Sequence, residues 1–237
     1  MIRYSRRWRR AIGLVPAAIF GTWMLSAPAA KVGELPPFVD HKAPKWTASL
    51  GLGYQHWPAA GDLDTEPFGE FDDGGWHIYG SVHAPWRNLG SGDLRYGLDA
   101  GLMSNDSDIR APGDIGDLAA DILYLTPSLK WSFGKSGKTR LNLEAGAGLY
   151  WAEIKEFWNS GYGVQEGTQH FEEIAPGGFL GISADFPITA GRDSTWAINL
   201  GARVHYADFG EVGALGRDLG NLDGPITTVQ IGVTYDW

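Results

Sequence analysis

Residues 226–237 read ITTVQIGVTYDW, and this stretch decides the fold of the chain. Counting back from Trp237, every second residue is apolar or aromatic, and the residues between them are polar or small. A period of two is typical of a β-strand with two unlike faces. The apolar face carries Tyr235 and Trp237 at its C-terminal end. Aromatic residues at the rim of an apolar face, opposite a polar face, favour a strand that meets lipid rather than a protein core.

With this terminal strand the chain resembles the bacterial outer-membrane β-barrel proteins, the broad class of small OmpA-, OmpX- and OmpW-like barrels. In that class the closing strand ends in an aromatic residue that the barrel assembly machinery reads. Trp237 occupies this place, with Tyr235 two residues before it. The resemblance implies an outer-membrane location, with outer-membrane lipid and lipopolysaccharide as surroundings and the assembly machinery as a partner.

The same alternation recurs seven times before the terminal strand. The predicted strands are 46–57, 75–86, 94–104, 121–133, 139–151, 179–187, 195–206 and 226–237. They predict an all-β fold, an eight-stranded antiparallel up-and-down transmembrane β-barrel over residues 46–237. Pro127 lies on the apolar face of the fourth strand, and proline removes a ladder donor. We therefore expect a bulge or a local bend at this position.

The connections between these strands alternate strictly in length. Segments 58–74, 105–120, 152–173 and 207–225 are long, whereas 87–93, 134–138 and 188–194 are short. Long loops outside and tight turns in the periplasm are typical of outer-membrane barrels, so both termini are predicted to be periplasmic. Tryptophans at the ends of the apolar faces predict an aromatic girdle. They are Trp46, Trp76, Trp86, Trp131, Trp151 and Trp196, together with Trp237.

The first thirty residues predict a cleaved secretory signal peptide. Five arginines precede an apolar run, and Ala27-Pro28-Ala29 offers a cleavage site. An uncleaved anchor is the alternative, but the apolar run is short for a membrane span of about 20 residues. Residues 31–45 are predicted to be a periplasmic lead-in without regular structure. Removing the signal takes the formal charge from -9 to -14, and the absence of cysteine excludes disulfides and thiolate metal sites.

The polar face of the predicted strands carries ionisable residues near the strand centres. They are Arg95, Asp99, Lys130, Arg140, Glu144, Asp185 and Arg203. An eight-stranded barrel holds only its own side chains or one small ligand, and buried charges persist when they are paired. The sequence thus predicts an ion-paired plug, with a narrow conduit for small or apolar molecules as the alternative. A soluble antiparallel sandwich or barrel would explain the alternation equally well. It does not explain the charged residues at the strand centres of the other face together with a signal peptide, a terminal aromatic residue and alternating connection lengths.

The four long segments hold 19 of the 28 acidic residues, opposed only by Arg110, Lys155 and Arg217. This negative surface argues against nucleic-acid binding. Lipopolysaccharide phosphates would need bridging divalent cations, for which Asp62, Asp64 and Glu66 form a weak candidate site. A solvated loop explains the same three residues. We predict no resident metal and no cofactor, and the sequence does not indicate an oligomeric state.

Two types of lipid A-modifying enzyme are barrels of this size, and each has a signature of active-site residues. The deacylase type resembles a His-x-Ser pair, but Ala207 stands in the serine's place after His205. The palmitoyl-transferase type pairs a histidine with an Asp-Ser dipeptide, and His56 with Asp106 and Ser107 matches it loosely. Asp-Ser is a common loop dipeptide, so we favour a non-enzymatic structural or surface-interaction barrel over acyl transfer.

Overall fold

The computed structural model describes residues 46–58, 74–90, 92–111, 114–134, 138–160, 166–190, 194–214, 217–221 and 224–237. The predicted signal peptide, the lead-in and the candidate metal residues Asp62, Asp64 and Glu66 lie outside these residues. The described strands are β1 (Thr47–His56), β2 (Gly74–Asn88), β3 (Gly92–Ala111), β4 (Asp114–Phe133), β5 (Arg140–Ser160), β6 (Glu166–Ala190), β7 (Thr195–Ala207), β8 (Glu211–Ala214), β9 (Arg217–Asn221) and β10 (Gly224–Asp236).

Eight of these strands close into one antiparallel barrel, in the order β1-β10-β7-β6-β5-β4-β3-β2. The predicted eight-stranded up-and-down barrel is confirmed. β8 and β9 form a small hairpin in the connection between β7 and β10. The barrel closes where β1 meets β10, with Thr47 opposite Asp236 and His56 opposite Thr227. The backbones of Trp46 and Trp237 exchange two further hydrogen bonds, of 3.0 and 3.1 Å, beyond the last ladder pair.

The two faces of the ribbon have opposite polarity, and the apolar face lies outside. Leu50 and Leu180 are 66% and 70% exposed, whereas Asp99 is 1% exposed. A water-soluble barrel would place these faces the other way round, because apolar surface leaves water on folding. The exterior therefore suits hydrocarbon, and the polar groups of the strands are satisfied within a closed ladder. No helix in the described ranges is long and apolar enough to cross a membrane.

The start of β1 and the finish of β10 lie at the same end of the barrel, called here the terminal end. The opposite end, called the hairpin end, holds the connections that were predicted to be long loops. For two of them this prediction was wrong, because segments 105–120 and 152–173 continue as strand. β3 pairs with β4 as far as Ala111 opposite Asp114, and β5 pairs with β6 as far as Asn159 opposite Glu166. The alternation of apolar and polar residues ends before these extensions begin. The backbone hydrogen bonds of the ladder do not depend on that alternation, so the strands continue.

The fourth strand carries Pro127 without a shift in register. Leu125 pairs with Leu149 and Ser128 with Gly146, and the two positions between them have no assigned partner in β5. On the other side Pro127 remains paired with Leu98 of β3. The predicted bulge is absent from this strand, and the interruption of pairing with β5 takes its place. Proline lacks the N–H that a ladder bond would use, which accounts for a gap on one side only.

Candidate functional site

The centre of the bore is crossed by the side chain of Arg203. Its Nη2 atom lies 2.8 Å from Asp99 Oδ1 and 2.6 Å from Glu144 Oε2. Arg203 is on β7 and Asp99 on β3, which stand four places apart in the ring of eight, so the contact joins opposite walls. Lys130 Nζ reaches the other oxygen of Glu144 at 3.3 Å. A carboxylate from each of two strands thus holds one arginine across the full width of the barrel.

A second ionic group lies nearer the terminal end. Arg140 Nη2 is 2.7 Å from Asp236 Oδ2 and 3.3 Å from Asp185 Oδ2. Arg95 Nη1 is 3.4 Å from Asp236 Oδ1, which also accepts a 2.6 Å hydrogen bond from Thr47. The penultimate residue of the chain therefore contacts β1, β3 and β5 at once.

The ionic interior of the described chain is neutral when its histidines are neutral. Its buried charged residues are four cations and four carboxylates: Arg95, Lys130, Arg140, Arg203, Asp99, Glu144, Asp185 and Asp236. The structure brings together all seven residues predicted from the sequence, and adds Asp236. Sequence reasoning placed Asp236 on the inward face but did not count it. The excess of one positive charge among the seven was the signal that another carboxylate was required.

Ser128, His83 and Asp99 meet beside Arg203 and superficially match a catalytic triad. Ser128 Oγ lies 2.9 Å from His83 Nε2 and 2.5 Å from Asp99 Oδ2. Asp99 approaches the same ring nitrogen, at 3.4 Å, while His83 Nδ1 has no hydrogen-bond partner among the described residues. In a triad the carboxylate binds the nitrogen remote from the serine and so orients the ring as a base. This trio is part of the ionic network around Arg203.

An aromatic layer covers the hairpin-end side of Arg203. The guanidinium carbon lies 4.6 Å from the Phe179 ring centroid and 5.0 Å from that of Tyr79, within cation–π range. Tyr79 donates a 3.1 Å hydrogen bond to Asn199. The rings of His77 and His205 lie 5.9 Å apart, so these two residues meet across the bore.

Each of these two histidines is bonded to a tyrosine. His77 Nε2 is 3.0 Å from the Tyr124 hydroxyl, and His205 Nδ1 is 3.0 Å from the Tyr150 hydroxyl. No group of three or more histidine and acidic side chains in the described residues is arranged to hold a metal ion. The layer is therefore a packed tyrosine–histidine network above the arginine.

Towards the hairpin end the polarity of inside and outside reverses. Along the inner face of β6 the residues change from Asp185 to Phe179 and then to Ala175, while the outer face changes from Ile174 to Glu172. Buried apolar side chains fill the bore at this level, including Trp57, Met103, Ile122, Phe209 and Ile226. An apolar interior with a polar exterior is the arrangement of a water-soluble protein. This reversal is the pattern expected at the level where a barrel leaves hydrocarbon.

The predicted girdle residues lie in two groups. Trp46, Trp86, Trp131, Trp196 and Trp237 are at the terminal end, and Trp76 and Trp151 are towards the hairpin end. At the closure of the barrel, Trp237 stacks on Trp46 and Tyr235 with centroid distances of 6.4 and 5.6 Å. Tyr235 lies 4.5 Å from the Trp196 ring. The proposed assembly signal thus belongs to one aromatic cluster that spans the joint between β1, β10 and β7.

The acyl-transfer candidates lie on strands that are not neighbours. His56 is exposed at the end of β1, whereas Asp106 and Ser107 pair with β4 from within β3. β2 separates β1 from β3, so two strand spacings, about 10 Å, intervene between the backbones. The side chains of Asp106 and Ser107 lie outside the described part of the structure, so their pairing with His56 stays a hypothesis.

No family model matches this chain, and no curated protein matches it. Solved structures of outer-membrane proteins resemble it. Neisserial surface protein A is 14% identical and covers 81% of this chain and 97% of its own, with a TM-score of 0.40. Ail, the attachment invasion locus protein of Yersinia pestis, is 11% identical and covers 82% of this chain and 99% of its own, with a TM-score of 0.40. The outer membrane protease OmpT from Escherichia coli is 7% identical and covers 85% of this chain and 99% of its own, with a TM-score of 0.43. These values assign no activity to the chain, whose own architecture is a closed, eight-stranded antiparallel β-barrel with an apolar exterior.

Proposed function

We propose that this chain is a non-conducting outer-membrane barrel that acts through contacts of its surface. The observation that carries the proposal is the bridge from Arg203 to Asp99 on the opposite wall, with Glu144 binding the same nitrogen. An eight-stranded barrel has room for little more than its own side chains. A bridge across its full diameter therefore leaves no continuous aqueous path at that level.

Two further layers support closure. Towards the terminal end Asp236 holds Arg95 and Arg140, and towards the hairpin end the aromatic and apolar side chains fill the bore. An ion would have to break buried ion pairs and then cross an apolar segment without its hydration shell. Separating these pairs would leave buried charges without their partners, which is costly, so the proposed plug stays closed.

The surface role rests on the sheet that β3, β4, β5 and β6 build beyond the barrel. From the pair Trp151–Ile174 the ladder continues to Asn159–Glu166, eight residues further in each strand. At about 3.3 Å per residue the sheet extends about 26 Å along the strands. Segments 105–120 and 152–173 together hold nine acidic and two basic residues. We infer a projecting acidic platform whose contacts include lipopolysaccharide through bridging divalent cations.

The remaining expectations complete this proposal. The first thirty residues direct secretion and are cleaved, and residues 31–45 remain in the periplasm with both ends of the barrel. The barrel assembly machinery recognises the cluster of Tyr235 and Trp237. The hairpin end then faces the exterior. Three observations support these proposals. They are the arginine-rich N-terminus, the position of both chain ends at the terminal end of the barrel, and the aromatic cluster at the joint between β1 and β10.

Conductance of the purified, full-length mature chain in a planar lipid bilayer tests the closed bore. We expect no steady current above that of the lipid, because the plug spans the bore. As a matched comparison, Arg203→Ala with Asp99→Ala and Glu144→Ala removes the central bridge and widens the bore. A steady, ohmic current through the unaltered barrel would contradict the proposal and favour the alternative, a narrow channel. Swelling of liposomes in small uncharged solutes would then define its selectivity.

A further inference from the structure

The last strand closes the barrel, and its outer face alone does not fix where it pairs. β10 lies between β1 and β7, and at its joint with β1 Leu50 is opposite Val233. Sliding a strand by one residue exchanges its two faces, whereas sliding it by two leaves the apolar residues outside. The outward residues around Val233 are aliphatic side chains of similar size. The register of the joint therefore needs a determinant on the inner face.

Side-chain hydrogen bonds on the inner face connect directly opposite residues of β1 and β10. Thr47 donates a 2.6 Å hydrogen bond to Asp236 Oδ1. In the next inward pair, the hydroxyls of Ser49 and Thr234 lie 3.0 Å apart. A displacement of β10 by two residues would move its side chains by about 7 Å and separate both pairs. These polar contacts therefore belong to one register of the joint.

Asp236 extends this register to the far side of the bore. Its Oδ2 atom lies 2.7 Å from Arg140 Nη2 on β5, and its Oδ1 atom lies 3.4 Å from Arg95 Nη1 on β3. Each of these strands stands three places from β10 in the ring. Arg140 has a second carboxylate in Asp185 at 3.3 Å, whereas Asp236 is the carboxylate that pairs with Arg95. A displaced β10 would carry Asp236 out of reach of both arginines.

The charge of the described interior balances only when β10 is in place. Strands β3 to β7 carry four buried cations and three buried carboxylates, and β1 and β2 add no buried arginine, lysine or carboxylate. β10 supplies the fourth carboxylate, Asp236. An unpaired charge in a buried site is costly. Insertion of β10 in its native register thus removes a penalty that a displaced strand would leave.

We propose that Asp236 is a closure latch, a positioning residue that fixes the register in which β10 completes the barrel. It pairs with Arg95 and Arg140 across the bore while it accepts the hydrogen bond from Thr47 on the neighbouring strand. This role differs from that of the aromatic cluster at the joint, which lies on the outer face of the same strand. It is also independent of whether the bore conducts ions.

Disulfide formation across the joint reads the register, because the chain has no cysteine of its own. Leu50→Cys with Val233→Cys joins directly opposite residues. Leu50→Cys with Ile231→Cys, and Leu52→Cys with Val233→Cys, join residues that become opposite only after a displacement by two in either direction. Diagonal neighbours lie about 7–8 Å apart, beyond the usual Cα distance of a disulfide. Each pair is placed in the full-length mature chain, folded into phosphatidylcholine vesicles and oxidised with copper phenanthroline.

Asp236→Asn keeps the shape of the side chain and removes its charge. Without this substitution we expect the opposite pair to cross-link and the displaced pairs to remain reduced. With it, the ratio of displaced to native cross-link should rise by about tenfold or more, because the native register no longer neutralises Arg95. Glu144→Gln is the matched control, since it removes a buried carboxylate that binds Lys130 and Arg203 and not β10. The control should leave the ratio unchanged.

An Asp236→Asn chain that cross-links only in the native register would overturn the proposal, and so would an equal rise in the Glu144→Gln control. If Asp236→Asn prevents folding, a second variant decides. Adding Arg95→Met removes the cation that Asp236 neutralises, so three buried cations face three buried carboxylates. We expect the folded mobility in unheated electrophoresis to return in this double variant. Failure to return would overturn the proposal, because the defect would then not arise from the lost ion pair.

Discussion

Arg203 is bound to two carboxylates on different strands and stacked between Tyr79 and Phe179, so its substitution removes several interactions at once. We expect Arg203→Met to lower the free energy of unfolding by about 3–5 kcal/mol, because Asp99 and Glu144 are left buried and without their cation. Equilibrium unfolding by urea in lipid vesicles, followed by tryptophan fluorescence, measures the change.

Arg87→Met is the control for the arginine variant, since Arg87 is an exposed residue of β2 and its loss should change stability by no more than about 0.5 kcal/mol. Adding Asp99→Asn and Glu144→Gln to Arg203→Met should restore part of the stability, because the orphaned charges disappear. An Arg203→Met barrel as stable as the Arg87→Met barrel would contradict the central role of the bridge.

Individual residues also show where sequence reasoning succeeds and where it stops. Period two alone predicts that Asp99 and Arg203 face inward, because alternation fixes the face of each strand residue. It does not predict that they meet, since a contact between opposite walls depends on barrel tilt and side-chain length. Asp236 was overlooked for the same reason. Its partners Arg95 and Arg140 are reached across the bore and not along the neighbouring strand.

At the scale of single strands, the polarity reversal predicts the level of the membrane boundary on β6. Ile174 is 60% exposed on the outer face, and Glu172, two residues earlier, is also exposed. The chain has no cysteine, so single cysteines can be introduced and spin-labelled without background. We expect a label at Ile174→Cys to collide preferentially with dissolved oxygen in the bilayer, and one at Glu172→Cys with a water-soluble nickel chelate. Power saturation in vesicles reads both.

The β4 strand supplies the matched pair for this measurement. Leu123 is 45% exposed on the outer face, and Asp121 follows towards the hairpin end, where it accepts a 2.6 Å hydrogen bond from Ser104. Labels at Leu123→Cys and Asp121→Cys should divide between oxygen and chelate in the same way. Equal chelate accessibility at positions 123 and 174 would place the boundary elsewhere and contradict the reversal argument.

The strand centres could be predicted from sequence because hydrocarbon outside and charge inside impose alternation there. That constraint ends where lipid ends, and with it the signal. β5 was predicted to stop at residue 151 but continues to Ser160. Its continuation rests on backbone pairing with β4 and β6, which no side-chain period records. Pro127 is a case where a side chain predicted a disturbance. It interrupts the pairing with β5, but the register of the two strands does not shift.

At the scale of the whole molecule, the barrel has a neutral ionic interior, an apolar outer face and an acidic hairpin end. The eight buried charges balance, whereas most acidic residues of the chain fall in the four segments first predicted as long loops. If the acidic hairpin end lies at the lipopolysaccharide surface, divalent cations must bridge its carboxylates and the lipid phosphates. If it lies in the periplasm, no such bridging is needed. The direction in which the barrel is inserted therefore decides which partners its platform can meet.

We predict that the hairpin end faces outward, and cysteine labelling in intact cells tests this for the whole molecule. Glu172→Cys at the hairpin end should react with a membrane-impermeant maleimide in intact cells. Asn88→Cys, in the exposed turn region at the terminal end, should react only after the outer membrane is permeabilised. Both barrels must show the same folded mobility in unheated electrophoresis, which excludes labelling of misfolded chains. The reverse pattern would place the termini outside, and the acidic platform would then project into the periplasm and act on partners there.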